Sequence, residues 1–537
     1  MTSKAYQILF ACYVLGYFFC YGFYGYNNAD DGYVLAFSWR VFNGEIPYKD
    51  FILVKPPLSP LLHSLTLFLL PDTYQIISER FFFYLSMALS SLFGSLALGQ
   101  VFNFEELDID PYLLATIGFV FSVNHFPPMP WQTVDGIFFA SLGIYILVKY
   151  SNSYSIGIGI ISLFLSALCK QSFYLMPIAG IVYVMVVNRN YHKVISALLA
   201  LFACLAVFIG TLYKYNIAHA FVLNTTGSTK LKDLLAAGLH RYMDFPLFYF
   251  LIALVLYIIL LRFPKNNFVK CNTSVIPYFF ISLLLLKHVP KFLTHYYGHA
   301  KLDFFEDEVA SVLFIAAILL LVVEVTAEKK WVSYALLMLL SWSTGISWGY
   351  QTPVLFSVPL LFGLFFLARH YFRLININRF AVYTLVLGTI TYFIAYQKPY
   401  FNPDRRELTY DLSEVYPKLK YIKVNKEMFE KYVELKKLIT EYGVNFKTLP
   451  EMPLANYLSD TRSPIGLDWV FNAETNFRNN EILETLRRKR TTVFVEKHPQ
   501  LIYINSSDDK FNSSVTYHII SNWRKVGSTN HFEIYQM

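Results

Sequence analysis

NNADDGYVLAFSWRVFNGEIPYKDFILVKPPLSPLLHS, residues 27–64, follows directly on an uncharged, largely apolar run from Tyr6 to Tyr26. A run of that length can cross roughly 30 Å of hydrocarbon at about 1.5 Å per residue. The chain then changes character at once. Two adjacent carboxylates, Asp30 and Asp31, are followed by a lysine wedged against a double proline, Lys55-Pro56-Pro57. Groups placed immediately beyond a membrane helix lie at the lipid–water boundary. Whether the rest of the chain repeats the apolar pattern decides the fold.

It does. Comparable runs recur at 81–101, 112–127, 134–150, 156–169, 173–188, 194–213, 246–262, 274–290, 308–326, 331–349, 353–368 and 380–397. With the first, these predict about thirteen transmembrane helices; the pair 156–169 and 173–188 also reads as one broken segment. The composition agrees: 55% of the residues are hydrophobic and 15% charged, against about 25% charged in soluble domains. Runs this long and continuously apolar are not barrel strands, and a lipid-exposed backbone must satisfy its own hydrogen bonds. The expected fold class is therefore an α-helical polytopic membrane protein. The shorter, proline-led run 58–70 predicts a helix lying along the membrane surface.

The net charge of +8 carries no nucleic-acid footprint. Much of the basic excess sits in short loops, at Arg189 and Lys193, at Arg262, Lys265 and Lys270, at Lys329 and Lys330, and at Arg369, Arg373 and Arg379, where it reports orientation. Only the acidic loop 103–110 disagrees. With the N-terminus cytoplasmic, residues 27–57, 214–245, 291–307 and everything after 397 fall outside. The first run lacks a small-residue cleavage site and reads as a retained anchor. The five cysteines, Cys12, Cys20, Cys169, Cys204 and Cys271, have neither CxxC nor Cys/His spacing, so no disulfide or zinc site is signalled.

After residue 397 the long apolar runs stop and charge rises. KEMFEKYVELKKLITEYG (426–443) has helical spacing, and TTVFVE (491–496) reads as a strand preceded by the helix NNEILETLRRK. The expected organisation is a transmembrane domain, 1–397, with an outer loop 27–80, and a soluble extracytoplasmic α/β domain, 398–537.

Several residues could carry chemistry. Asp30 and Asp31 read either as N-caps of the helical stretch that follows or as a general base at the interface. Lys55 reads either as a snorkelling cation or as a point charge for a phosphate. Asp135 opens a span, and Lys170-Gln171 sits between two; ionisable residues in or near spans are costly and point to function. His295, His299, Lys301 and Asp303 map to the same side. Asp108-Ile-Asp110 imitates a metal–nucleotide motif, but no nucleotide-binding domain surrounds it. No P-loop, GxGxxG, GxSxG or HExxH occurs.

Asp30-Asp31-Gly32-Tyr33, then Asn43-Gly44-Glu45-Ile46-Pro47-Tyr48-Lys49-Asp50-Phe51, then Lys55-Pro56-Pro57-Leu58 together resemble the first outer loop of the GT-C glycosyltransferases. The branch is that of the protein O-mannosyltransferases and lipid A aminoarabinose transferases. That family has an acidic pair after the first span, a Gly-x-x-Pro-Tyr-x-Asp run, which here ends at Asp50, and a Pro-Pro segment opening a surface helix. The resemblance implies a catalytic carboxylate at Asp30 with Asp31 as its acidic neighbour, the residues alone assigning the base only to the pair. It further implies a donor-phosphate contact at Lys55 and a second acidic residue at Asp135. Asp50, Lys170, Gln171, His299 and Lys301 complete the expected substrate-binding set.

The implied function is sugar transfer, with inversion, from a polyprenyl-phosphate donor to a glycan, glycolipid or protein on the outer face of a bacterial inner membrane. The implied partners are membrane lipid and the lipid-linked donor. No cofactor is signalled with certainty, and a divalent metal is compatible with the reading. The competing classes are a transporter or flippase, which would show internal repeats and mid-membrane polar sites, and a polymerase or ligase of lipid-linked saccharides.

Overall fold

The structure is a computed structural model. It describes residues 3–123, 127–188, 190–226, 278, 282, 308–324, 330–346, 354–370, 376–395, 399, 402–476, 478–507 and 509–537. The expected spans 246–262 and nearly all of 274–290, together with His295, His299, Lys301 and Asp303, lie outside the described residues.

Within the described residues the apolar runs form helices. In chain order the described ones are α1 (Ser3–Tyr21), α2 (Asp30–Phe42), α3 (Leu58–Leu69), α4 (Gln75–Val101), α5 (Pro111–Val123), α6 (Gln132–Lys149), α7 (Ser153–Cys169), α8 (Leu175–Asn188), α9 (Tyr191–Lys214), α10 (Ala218–Thr226), α11 (Glu308–Glu324), α12 (Lys330–Gly345), α13 (Val358–His370) and α14 (Ile377–Ala395). Among the described residues, three helical stretches are long and apolar enough to cross a membrane: Asp72–Val101, Gln132–Lys149 and Tyr191–Lys214. Several of the remaining apolar helices are shorter than the runs that predicted them.

Three local departures matter for the site. The first helix ends at Tyr21, five residues before the apolar run does. The chain turns through Gly25, whose φ of 81° favours glycine, and Arg80 gathers the turn by donating to the carbonyls of Gly22 (2.9 Å) and Gly25 (2.8 Å). The helix expected at 81–101 begins six residues earlier, at Gln75, which brings Glu79 and Arg80 onto its first turns. Residues 156–188 are two helices, because Lys170 is extended (φ −154°, ψ 144°) between α7 and a single turn of 3₁₀ helix at Gln171–Phe173. The break projects Lys170 and Gln171 out of the helical repeat. In the acidic loop, Asp110 caps α5 through the N–H groups of Tyr112 (2.8 Å) and Leu113 (3.3 Å), and Asp108 accepts from Asn378 (3.0 Å). The metal-motif imitation is thus accounted for by capping and packing.

The C-terminal region carries α15 (Lys426–Tyr442), α16 (Asn479–Arg488), α17 (Ser514–Asn522), a two-stranded ladder β1 (Tyr410–Asp411) and β2 (Lys423–Val424), and a four-stranded sheet. The sheet comprises β3 (Phe446–Leu449), β4 (Thr492–Glu496), β5 (Arg524–Ser528) and β6 (Phe532–Gln536), in the order β3-β4-β6-β5. β3 runs parallel to β4, with Phe446 opposite Thr492; β6 is antiparallel to both neighbours, with Phe494 opposite Ile534. Every residue of β4 is buried, as suits a strand covered on both faces. Asn425 caps α15 by accepting from Met428 N–H (3.1 Å).

This region shares its core with the opening loop. Tyr33, Val34, Phe37, Leu53 and Val54 pack into one apolar cluster with Leu449, Trp469, Val493 and Tyr535. Each fully buried aliphatic or aromatic side chain stabilises by about 1.5–3 kcal/mol. The Ile52 N–H donates to the Gly466 carbonyl at 2.7 Å. Buried Arg40 donates to Asp468 from Nε (2.5 Å) and Nη2 (3.1 Å) and to Glu45 (2.7 Å), while Lys447 reaches Asp468 at 3.0 Å. The loop after the first helix is thereby built into the face of the C-terminal region.

Candidate active site

Both aspartates occupy the first turn of α2, which begins at Asp30. Neither is the cap. The N-cap position is Ala29, which has no polar side chain to cap with; just ahead of it, Asn27 Oδ1 accepts from the N–H groups of Ala29 (2.9 Å) and Asp30 (2.7 Å). Carboxylates at a helix N-terminus face the positive end of its dipole. The two acids then differ. Asp31 Oδ2 accepts from Arg80 Nη2 at 2.9 Å and from the Asn27 N–H at 3.0 Å, so it belongs to the grip that shapes the 22–31 turn. Burial raises its pKa above the usual carboxylate range, and Arg80 pulls it back down. Asp30 is equally buried, 8% exposed against 7%.

The C-terminal region closes over this turn. A Cβ added at Gly32 would stand 2.7 Å from Leu454 Cγ and 2.9 Å from Pro453 Cγ, so only glycine fits there. Tyr432 donates to Asn28 Oδ1 (3.0 Å), and Asn27 donates to Gln500 Oε1 (3.2 Å). One turn past Asp30, the Tyr33 hydroxyl donates to Glu474 Oε2 at 2.9 Å. Glu474 is 3% exposed and sits on the short turn Asn472–Thr475. Burial raises its pKa to about 6, against the opposing effects of Lys55 and the Tyr33 hydrogen bond. The Tyr33 ring lies 5.6 Å from Trp131 and 5.5 Å from Trp469, centroid to centroid, forming an aromatic wall.

Lys55 faces Glu474 from the other side. Its backbone is fixed by the Tyr48 hydroxyl, which donates to the Lys55 carbonyl (2.6 Å), and by Gln171, which donates to the Val54 carbonyl (2.7 Å). The two prolines that follow restrict φ and remove donors. Burial lowers the Lys55 pKa and Glu474 raises it. Lys170, released by the helix break, donates to Thr133 Oγ1 at 2.9 Å. Burial, and then the like charge of Lys55, lower its pKa to about 7.

Asp135 is held by a partner that the sequence reading missed. His63 on α3 stands with Nδ1 2.6 Å from Glu79 Oε2 and Nε2 3.1 Å from Asp135 Oδ2. Thr66 donates to the other Glu79 oxygen. Burial alone would lower the His63 pKa; Glu79 and Asp135 together raise it well above the usual imidazole value. With a carboxylate oxygen at each ring nitrogen, the surroundings favour the imidazolium form.

The expected residues thus fall into three groups of contacts: Asp31 with Arg80, on the turn that Asp30 also opens; Lys55 with Glu474 and Lys170, joined to α2 through Tyr33 and to Gln171 through the Val54 carbonyl; and Asp135 with His63 and Glu79. Asp50 lies apart: it is exposed and closes a turn by accepting from the Ile46 N–H at 2.7 Å. Among the described residues no cluster of three or more His, Cys, Asp or Glu side chains is arranged to hold a metal ion. Glu79 and Arg80 carried a signal that could have been read, a charged pair at the mouth of an apolar run. Glu474 carried none.

No family model matches the chain, and no curated protein matches it. Among solved structures it is similar to ArnT from Cupriavidus metallidurans in the apo state, at 10% identity over 100% of this chain and 98% of that one, with a TM-score of 0.44. It is likewise similar to ArnT from the same organism bound to undecaprenyl phosphate, at 10% identity, the same coverage and a TM-score of 0.45.

Proposed function

We propose that the chain is an integral-membrane glycosyltransferase that moves a sugar from a polyprenyl-phosphate donor to an acceptor hydroxyl at the outer face of the membrane. The observation that carries this reading is the set of contacts linking the helix that the acid pair opens, through Tyr33 and Glu474, to Lys55 and from there to Lys170. A carboxylate at a helix N-terminus, two lysines within electrostatic reach of each other and an aromatic wall converge beside the loop that leaves the first apolar helix. Two like charges held together in partial burial are stabilised by an anion between them, and a lipid phosphate at headgroup depth is such an anion. The membrane supplies a groove for the lipid tail, and the N-terminus lies on the cytoplasmic side with the C-terminal region opposite.

In the reaction the acceptor oxygen forms a bond to the anomeric carbon while the bond from that carbon to the phosphate oxygen breaks. The electron pair leaves with the polyprenyl phosphate. Asp30 takes the acceptor proton, Lys55 and Lys170 offset the charge growing on the phosphate, and Arg80 holds Asp31 out of the proton transfer. A single displacement inverts the sugar carbon. Glu474 keeps Lys55 ionised. The direct test is the purified chain in proteoliposomes supplied with polyprenyl-phosphate sugars and a panel of hydroxyl acceptors. Mass analysis should find free polyprenyl phosphate and a glycosylated acceptor in equal amounts. Lipid-linked sugar that crosses the bilayer unchanged would favour the transporter reading instead.

Lys170 gives this reading a pH signature. Free Lys170 titrates near 7, and a bound phosphate favours its charged form. Below pH 7 the lysine is already protonated and donor affinity is flat. Above pH 7 binding must take up a proton, so the donor KM should climb by up to about tenfold per pH unit. Initial rates from pH 6 to 8.5 should display that rise in the parent and lose it in Lys170→Met. A flat parent curve would remove Lys170 from the donor site.

A further inference from the structure

The cluster of His63, Glu79 and Asp135 takes no part in the proposed chemistry, yet it is among the most deeply buried charged groups near the site. Glu79 is 1% exposed, Asp135 5% and His63 7%. It joins three elements: α3 through His63, α4 through Glu79 and α6 through Asp135. Taking three ionisable groups out of water is costly unless their mutual geometry offsets the loss, and here both ring nitrogens meet carboxylate oxygens.

The place of this clasp in the fold gives it a role. α3 begins at Leu58, directly after Lys55-Pro56-Pro57, so any tilt or slide of α3 is passed through the stiff prolines to Lys55. The opposite face of α3 exposes Leu61, Leu65 and Leu69, while its Phe68 ring lies 4.6 Å from Phe42 of α2, centroid to centroid. His63 lies on the inward face, and α4 continues from Glu79 to Arg80, which holds Asp31. We infer that His63 is a positioning residue: clasped by Glu79 and Asp135, it sets the position of Lys55 relative to the acid pair, and Asp135 acts through it, not by touching the substrate.

The inference rests on the reading of Lys55 as the donor-phosphate cation. In His63→Gln the donor KM should rise about tenfold, a partial loss of a charge-assisted contact, while kcat at saturating donor stays within about threefold. Asp135→Asn, which lowers the buried negative charge and keeps the shape, should display the same split. A role in folding alone would lower kcat through loss of active molecules and leave KM unchanged. That pattern, or a KM equal to the parent's in both variants, overturns the inference.

The second readout needs no turnover. Binding of polyprenyl phosphate itself, measured by titration on the folded protein, should weaken about tenfold in His63→Gln. The double variant His63→Gln/Lys55→Met should bind no more weakly than Lys55→Met alone, since two residues acting through one contact are not additive. Additive losses overturn the inference. A parent that binds polyprenyl phosphate but transfers no sugar defeats the functional reading alone; a His63→Gln variant that binds as tightly as the parent defeats the clasp alone.

Discussion

Asp30→Asn is expected to lower sugar transfer by about 10²–10⁴-fold, the usual range for loss of a general base, with donor binding unchanged. The substitution keeps the shape of the side chain and the bond from the Asp30 backbone N–H to Asn27, and takes away the proton acceptor. Asp31→Asn should behave differently. It weakens the bond from Arg80, and with it the turn that Arg80 gathers at Gly22 and Gly25. Its signature should therefore include lower thermal stability as well as lower rate. The comparison is single-turnover rate and melting temperature for both variants. If Asp31→Asn alone is inactive at parental stability, the base has been assigned to the wrong acid. If both variants are fully active, the enzymatic reading of the loop is gone.

Lys55→Ala should weaken donor use by about 10- to 150-fold, corresponding to about 1.5–3 kcal/mol for a charge-assisted contact. Acceptor dependence should change little. The same substitution takes away the neighbour that favours ionised Glu474, so that carboxyl should titrate higher in the variant. Lys55→Arg keeps the charge and should retain most of the donor affinity; if Lys55 merely snorkels, both substitutions leave the donor curve in place. Initial rate against polyprenyl-phosphate-sugar concentration at saturating acceptor decides between them. An unchanged curve in Lys55→Ala would leave the Asp pair and Lys170 as the remaining support for a lipid-phosphate donor.

Much of the fold was legible because apolar length is a one-dimensional signal. α4, α6 and α9 follow directly from long apolar runs, and α15, α16 and β4 from local sequence pattern. The boundaries were less legible wherever a tertiary contact overrode composition. The first run is apolar through Tyr26, yet its helix stops at Tyr21 because Arg80, far along the chain, takes the carbonyls beyond. The site divides along the same line. Asp30, Asp31, Lys55 and Lys170 announce themselves as charges in an apolar context. His63 does not, since a single histidine in a proline-led helix has no local signature and its partners lie 16 and 72 residues away. Glu474 is one acid among many in a charged tail, and its partner Tyr33 is 441 residues distant.

The docking of the C-terminal region on α2 has a consequence for biogenesis. Gly32 rests against Pro453 and Leu454, and Tyr33 waits for Glu474, so the pocket started by the first loop is finished by residues made more than 400 positions later. A chain still emerging from the ribosome holds the acid pair with Trp131 beside Tyr33 but without Trp469, Glu474 or the residues over Gly32. On the proposed reading, a half-made chain is inert toward the lipid-linked sugars around it. Competence then arrives with the folding of the C-terminal region.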